Sequence, residues 1–472
     1  MLSQPRKCFV IVLTFLLSQF AVASEYKPGE VIVKYKDEAF RSRSEMNTLY
    51  DSVGVENVRH YNGLIKGFEH LILDDGVDVE KAIESLSKDS KVDYAQPNYI
   101  LYALPVREGW GDDSNQLVGR GVPCVFPGIP YPPGCEDSPD GGGGGFPPSK
   151  RRPELKAPPS EVFPGIADPQ LDKVYGLSKI GATEAWSTHR GNKDFIVADI
   201  DTGVDYNHED LAFNMWRNPN PTNQDIVGYD FTHNDGLPFD DNGHGTHTGG
   251  TIAAVGDNGI GISGVIQNVS LMSVKFLSAE GSGTTADAIR AIDYAVSHGA
   301  RVLSNSWGGS ADKNNKALKD VVEKARQSDV LFVAAAGNES NDNDGPDPSY
   351  PAAFDNDNII AVAATDENDK LAYFSNYGRK TTHLAAPGVR VYSTMPGNQY
   401  KASSGTSMAC PYVAGAAALL WSKHPRWSYK KVKEMLMKSV DPLASLENKT
   451  ISGGRLNIRK ALEMSETRRT RR

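Results

Sequence analysis

The chain has 472 residues, 39% hydrophobic and 23% charged, with 50 Lys and Arg against 59 Asp and Glu and a net charge of −9. That length exceeds one ordinary core and predicts two or three domains. The acidic balance excludes the broad basic face that nucleic-acid binding needs, and the short tail Arg468, Arg469, Arg471 and Arg472 reads as a solvated end.

In chain order, Arg6 and Lys7 precede an apolar run from Phe9 to Val22, which ends in Ala21-Val22-Ala23. Together these are the parts of a secretory signal peptide, expected over 1–23. The run is short for a span of about 20 residues and carries Ser18 and Gln19. Export with cleavage and no stable membrane anchor is therefore expected, in an extracellular or periplasmic setting. Cys8 leaves with the signal. Cys124 and Cys135 sit in a loop-rich stretch where pairing after export is open to them. Cys410 lies among small apolar residues and reads as a packing residue.

Residues 24–103 read as a small α+β unit. Glu30 to Tyr35 alternates as a strand, Val79 to Leu86 has helical spacing, and Val92 to Asn98 closes the unit. Residues 104–167 are rich in Pro and Gly, with consecutive glycines from Gly141 to Gly145. Such composition buries too little apolar area to offset chain entropy and predicts a linker. It is not a phosphate loop, which needs a strand before it, a helix after it and a terminal Lys-Ser/Thr.

From 168 to 464 the pattern changes. Short apolar runs (Phe195–Ile200, Leu271–Phe276, Arg301–Asn305, Val330–Ala335, Ile359–Ala363) alternate with helical ones (Thr246–Val255, Thr285–His298, Lys316–Ser328, Met408–Lys423). The alternation predicts an α/β domain, a parallel sheet with helices on both faces. Ligands in such folds sit beyond the carboxyl ends of the strands. Asp201, Ser306 and Asn338 all follow predicted strands there. Residues 465–472, with four arginines, form a basic tail.

Three motifs carry the chemistry: Asp201-Thr-Gly203, Gly243-His-Gly-Thr-His247 and Gly405-Thr-Ser-Met-Ala409. A hydroxyl is a weak nucleophile without an adjacent base. An imidazole serves as that base at neutral pH, and a carboxylate fixes its tautomer and stabilises its charged form. Asp201, His244 and Ser407 supply these groups in the order Asp, His, Ser. Ser407 opens a helix of small residues from Ala409 to Ala418, with Pro411 expected in its first turn, where a missing N–H costs little. The amide of Asn338 and the N–H of Ser407 are candidate donors to an oxyanion. Asn338-Glu-Ser340 also matches a glycosylation sequon, but a glycan there blocks the cleft.

With these motifs in order, and with Gly388-Val and Pro396-Gly-Asn-Gln-Tyr400 leading into Ser403-Ser-Gly-Thr-Ser-Met-Ala409, residues 168–464 resemble the catalytic domain of the subtilisin family. The resemblance implies a serine endopeptidase acting on polypeptides through an acyl-enzyme on Ser407. It implies Asp201, His244 and Ser407 as the triad, Asn338 as oxyanion donor, Ser306-Trp307-Gly308 as the edge that pairs with substrate, and Ser349 as the bottom of the S1 pocket. Tyr412 departs from the pattern, where the family usually has His. The stretch from Pro28-Gly-Glu-Val-Ile-Val33 to Tyr94-Ala-Gln-Pro-Asn98 resembles the family's prodomain. That implies a precursor with its own inhibitor, whose tail, Asn98 to Ala103, lies in the cleft. A first self-cleavage is then expected near Ala103–Leu104, with trimming within 105–167.

The loop from Val255 to Ile262 resembles the calcium loop of thermitase-type members. This implies a structural Ca2+ held by Asp168 and Asp210, the Asn258 side chain and the carbonyls of Val255, Ile260 and Ile262, a mixed oxygen set suited to calcium. Glu339, Asp342, Asp344 and Asp347 read as an exposed run; a second cation or a bias toward basic substrates is the other reading. A catalytically inactive binding relative is the main rival and is opposed by the intact Asp201, His244, Ser407 and Asn338. A metallohydrolase built on His244, His247 and Asp201 lacks a His-Glu-x-x-His helix.

Overall fold

The computed structural model describes residues 25–36, 43–61, 63, 66–106, 153–157, 165–309 and 315–467. The expected signal peptide, Cys8, Cys124, Cys135 and the glycine run lie outside them, as do the tail arginines.

The N-terminal domain consists of β1 (Tyr26–Tyr35), α1 (Arg43–Val53), β2 (Val55–His60), β3 (Phe68–Leu73), α2 (Val79–Ser87) and β4 (Val92–Ala103). Its strands pair antiparallel in the order β4-β1-β3-β2. Val31, Val33, Leu71 and Leu73 pack on Val79, Ala82 and Leu86 of α2. Asp78 caps α2 by accepting from the Lys81 N–H at 3.0 Å.

The larger domain begins with the short helices α3 (Tyr175–Lys179) and α4 (Ala182–Ala185). Then come β5 (Gly191–Asp201), β6 (Gly228–Asp230), α5 (His244–Ala253), β7 (Asn268–Lys275), β8 (Ser282–Thr284) and α6 (Thr285–Ser297). After these follow β9 (Val302–Asn305), β10 (Trp307–Gly308), α7 (Lys316–Gln327), β11 (Leu331–Ala335), β12 (Ile359–Thr365) and β13 (Leu384–Pro387). The chain ends with the hairpin β14 (Val391–Met395) and β15 (Gln399–Ser403), then α8 (Thr406–Lys423), α9 (Tyr429–Lys438), β16 (Asp441–Pro442), β17 (Gly454–Arg455) and α10 (Ile458–Thr467). α10 runs three residues past the boundary expected at 464.

The main sheet has the order β16-β17-β13-β12-β11-β9-β5-β7-β6, parallel except at β16. Its central strands are buried on both faces, which is why they read as unbroken apolar runs. Buried side chains of α5 and α8 belong to one core cluster, and those of α6 and α7 to another. Every residue of α8 from Thr406 to Trp421 is buried, so this helix is apolar all round rather than amphipathic. Tyr412 is fully buried in it, and Gly176 makes the room: a Cβ there would lie 2.1 Å from the Tyr412 hydroxyl.

Two sequence expectations need correction. Residues 153–157, read as linker, lie against the larger domain. The Tyr206 hydroxyl donates to the Pro153 carbonyl at 2.7 Å, Asn207 Nδ2 to the Glu154 carbonyl at 2.8 Å, and the Lys156 N–H to Asn207 Oδ1 at 2.8 Å. Leu155 packs on the core beside them. Pro411 is also not in the first turn, because α8 already begins at Thr406.

The domains meet along β4. Free N–H groups at a helix start favour an outside acceptor, and β4 supplies two. Gln96 Oε1 accepts from the Ala317 N–H of α7 at 2.9 Å, and Asn98 Oδ1 accepts from the Ala286 N–H of α6 at 2.9 Å. Each lost cap costs about 1 kcal/mol. Gln96→Ala with Asn98→Ala is expected to weaken association of residues 25–106 with 153–472 by about thirtyfold. Titration calorimetry of the two separately made pieces checks this, and an unchanged Kd rejects the caps as binding groups.

Candidate active site

Parallel pairing brings the strand ends to one rim. Asp201 is the last residue of β5, and His244 and Ser407 are the first and second residues of α5 and α8. The His244 Nδ1 atom lies 2.7 Å from Asp201 Oδ1, and both side chains are buried. Asp201 Oδ1 also accepts from the Thr202 N–H at 2.7 Å. Burial pushes the His244 imidazole toward neutrality, but the charge and hydrogen bond of Asp201, aided by Asp240, leave its pKa raised.

The start of α5 is held by a carboxylate that the sequence did not single out. Asp240 Oδ1 accepts from the N–H groups of Asn242 and Gly243 and from the Thr202 hydroxyl; Asp240 Oδ2 accepts from the N–H and the hydroxyl of Thr246. Its signal was present as an Asp ahead of a helix start. Gly243 takes φ +105° at the turn into α5, where a side chain would be strained and its Cβ would sit 2.7 Å from Met395 Cε.

Asn338 follows β11. Its Oδ1 accepts from the N–H and the hydroxyl of Thr406, at 2.8 and 2.9 Å. That fixes the amide so that Nδ2 points into the cleft, where it donates to the Pro105 carbonyl at 3.0 Å. Pro411 lacks the N–H that would otherwise bond the Ser407 carbonyl four residues back. The Ser306 hydroxyl donates to that carbonyl instead, at 3.0 Å. The proline therefore frees a bond that ties α8 to the segment between β9 and β10.

The cleft holds the end of the N-terminal domain. β4 runs antiparallel between β8 and β10, with Tyr102 opposite Gly308 and Ala103 opposite Trp307. The Ala103 N–H donates to the Gly281 carbonyl at 2.8 Å and the Leu104 N–H to the Ser306 carbonyl at 3.3 Å. Ser407 Oγ lies 3.1 Å from the Ser306 carbonyl and 3.5 Å from the Leu104 carbonyl. His244 Nε2 has no hydrogen-bond partner among the described residues. The tail thus extends to Leu104 and Pro105, beyond the expected end at Ala103. The carbonyls that meet Ser407 and Asn338 are those of Leu104 and Pro105.

Trp307 contributes backbone only: its ring is fully buried against Phe276 and Phe332. Ser349 is buried beneath the same edge, its hydroxyl 3.5 Å from where a Cβ on Gly308 would sit. His247 Nε2 faces the carbonyls of Val391 and Lys401 at 3.0 and 3.1 Å, and burial lowers its pKa to about 4. It is a structural tie, which removes the metallohydrolase arrangement. Cys410 is a free, buried thiol whose pKa burial raises to about 12, as its packing reading requires.

Of the acidic run, Asp344 accepts from the N–H groups of Lys380 and Thr381 and from the Thr381 hydroxyl, and Glu339 accepts from Asn376. Both carboxylates are engaged in loop structure.

Asp168 and Asp210 converge on the 255–262 loop. Asp168 accepts from the N–H groups of Asp257 and Asn258, while Asp210 accepts from the Ile262 N–H and from Asn258 Nδ2. Burial raises Asp168 to about 6 and Asp210 to about 7. Two buried carboxylates beside the Asn258 amide supply hard oxygen donors of the kind calcium takes.

A nucleophilic hydroxyl, a carboxylate-held imidazole and an aimed amide donor, set beside a bound peptide strand, form the arrangement for acyl transfer. The subtilase family model matches residues 192–457, and a fervidolysin N-terminal prodomain model matches residues 21–98. Thermitase of Thermoactinomyces vulgaris is 43% identical over 251 residues, covering 53% of this chain and 83% of thermitase. Subtilisin DY of Bacillus licheniformis is 40% identical over 262 residues, 56% of this chain and 89% of that protein. The thermophilic serine proteinase of Bacillus sp. (strain AK1) is 33% identical over 398 residues, 84% of this chain and 79% of its own. Site geometry and likeness agree: the chain belongs to the subtilase family and is a serine endopeptidase that carries an N-terminal prodomain.

Proposed function

We propose that the protein is an exported endopeptidase, made as a self-processed precursor, that hydrolyses peptide bonds through an acyl-enzyme on Ser407. The observation that carries the reading is the peptide strand seated between β8 and β10, with its carbonyls at Ser407 and Asn338. In the reacting enzyme His244 takes the Ser407 proton as Oγ adds to the carbonyl carbon. Asn338 Nδ2 and the Ser407 N–H hold the oxyanion. His244 then returns the proton to the leaving amine, and water repeats the sequence to release the acid. Asp201 keeps the imidazole oriented throughout.

Export rests on the N-terminal sequence pattern. Among the described residues, no helix is long and apolar enough to cross a membrane.

A serine-directed covalent inhibitor should label Ser407, and Ser407→Ala should leave the precursor uncut. Asn338→Ala is expected to lower kcat by about 10²–10³ with KM little changed, a magnitude carried over from subtilisin. A large rise in KM at constant kcat would instead make Asn338 a binding residue.

The tail acts as inhibitor. It uses the edge a substrate would use, and the Ser407 hydroxyl lies against the Ser306 carbonyl rather than His244. Leu104 and Leu101 are buried in the cleft region, which supports a preference for large apolar side chains over basic ones. Later trimming falls upstream of Pro153, because 153–157 is docked. Separately made residues 25–104 should inhibit the mature enzyme, and Leu104→Asp should weaken that inhibition about tenfold or more, since it forfeits a buried Leu. Undiminished peptide hydrolysis at a large molar excess of the parent fragment rejects the inhibitor role.

Asp168, Asp210, Asn258 and the carbonyls of Val255, Ile260 and Ile262 hold a structural Ca2+. With folded-state pKa values raised to about 6 and 7, the folded protein binds more protons than the unfolded chain above about pH 4. Without calcium, stability therefore falls as pH rises from about 4 to 7. Calcium takes the place of those protons, so its gain in Tm should be larger at pH 8 than at pH 5, and Asp210→Asn should flatten the difference. Equal gains at both pH values would remove these carboxylates from the site.

A further inference from the structure

Asp199 lies two residues before Asp201 on the same face of β5 and is fully buried. It stands where the elements bearing the three catalytic groups meet. Its strand carries Asp201. Its Oδ2 is 2.8 Å from the hydroxyl of Thr248, one turn beyond His244 on α5. Ser304 of β9 is its register partner, and its strand packs against α8, which carries Ser407.

The hydrogen-bond geometry bears on its protonation state. Thr248 Oγ1 lies 2.8 Å from Asp199 Oδ2 and 3.0 Å from the Gly245 carbonyl. A hydroxyl has one proton to give. If Asp199 is ionised, its oxygen and the carbonyl are both acceptors competing for that proton. If Asp199 carries a proton, both contacts are satisfied at once: Asp199 donates to Thr248 Oγ1, and Thr248 donates to Gly245. Asp199 Oδ1 is buried and makes no hydrogen bond among the described residues, although the Ser304 hydroxyl is near enough to act on the carboxyl.

We propose that Asp199 is a positioning residue, a buried neutral carboxylic acid that ties the helix of His244 to the strand of Asp201 through Thr248. The charges around it agree. Burial, followed by the negative charge of Asp201, holds its carboxyl well above the ordinary range, and Asp240 adds to this. The nearby ammonium of Lys275 is committed to Asp241 and to the carbonyls of Thr202 and Leu277. His247, on α5, is engaged with Val391 and Lys401. A neutral Asp199 also leaves Asp201 as the charge that acts most strongly on His244.

The test compares mature parent, Asp199→Ala, Asp199→Asn and Thr248→Val enzymes, with active sites counted by a serine-directed covalent inhibitor. Asp199→Ala is expected to lose about tenfold in kcat with KM within about twofold, as expected for a misplaced base. Asp199→Asn, whose amide is neutral and able to donate to Thr248, should restore kcat to within about threefold of the parent. Thr248→Val should match the alanine variant, which keeps the tether testable if Asp199→Ala does not fold. The acid limb of the kcat/KM profile reports the His244 titration and should stay in place in Asp199→Asn. A limb moved to lower pH would show that a buried negative charge had been removed and would overturn the neutral acid. Parent-level kcat in Thr248→Val would overturn the tether.

Discussion

The N-terminus of α8 enters the protein interior, and the polar groups it brings there must find partners within the fold. An unpaired buried polar group costs about 1–3 kcal/mol, so the start of a helix buried on every side is a strong constraint. Thr406 meets it by donating twice to Asn338 Oδ1, which turns Nδ2 toward the cleft. The Ser407 carbonyl, freed by Pro411, meets it by accepting from Ser306. The Ser407 backbone, the Asn338 amide and the edge at Ser306 are thereby fixed to one another. Such preorganisation is what lets hydrogen bonds act on a transition state without a reorganisation cost at the moment of reaction.

The prodomain engages two of these unsatisfied features at once. Short strands such as β8 and β10 leave backbone groups open at the rim, and an extended segment is the natural partner for them. β4 pairs with both, and Gln96 and Asn98 reach past them to the starts of α7 and α6. The first set of contacts is open to any extended peptide. The second depends on side chains at fixed positions of a folded domain. An inhibitor that combines them outcompetes a substrate with the same cleft residues, because its strand arrives already ordered.

Much of this was legible in the sequence. Asp201, His244, Ser407 and Asn338 were readable because strand–turn–helix junctions expose a few residues at one rim, and short motifs mark those junctions. The main strands and helices came within a few residues of their observed ends, since apolar periodicity governs both. Trp307 is a different case. The motif located the edge, but its backbone pairs with the tail while its ring fills the core. The role of Pro411 was misplaced by the helix start, because a buried helix has no amphipathic onset to read. The register of Leu104 and Pro105, the docking of 153–157 and the tether at Asp199 depend on contacts between residues roughly 50 to 300 positions apart. No local pattern encodes those distances.

The bound tail also bears on how latency gives way to activity. The Ser306 carbonyl accepts two bonds in the precursor, one from the Leu104 N–H and one from the Ser407 hydroxyl. The Asn338 amide meanwhile holds the carbonyl of the following residue, Pro105. In a reacting complex a single carbonyl carbon must stand at Oγ with its own oxygen on the amide. The tail makes these two contacts through neighbouring residues, Leu104 and Pro105. With no N–H and a fixed φ, Pro105 cannot continue the pairing that ends at Leu104. Latency in this arrangement needs no distortion of Asp201 and His244, which keep their 2.7 Å contact. The strand seated between β8 and β10 covers Ser407 and the Asn338 amide, and that occupancy keeps a substrate out.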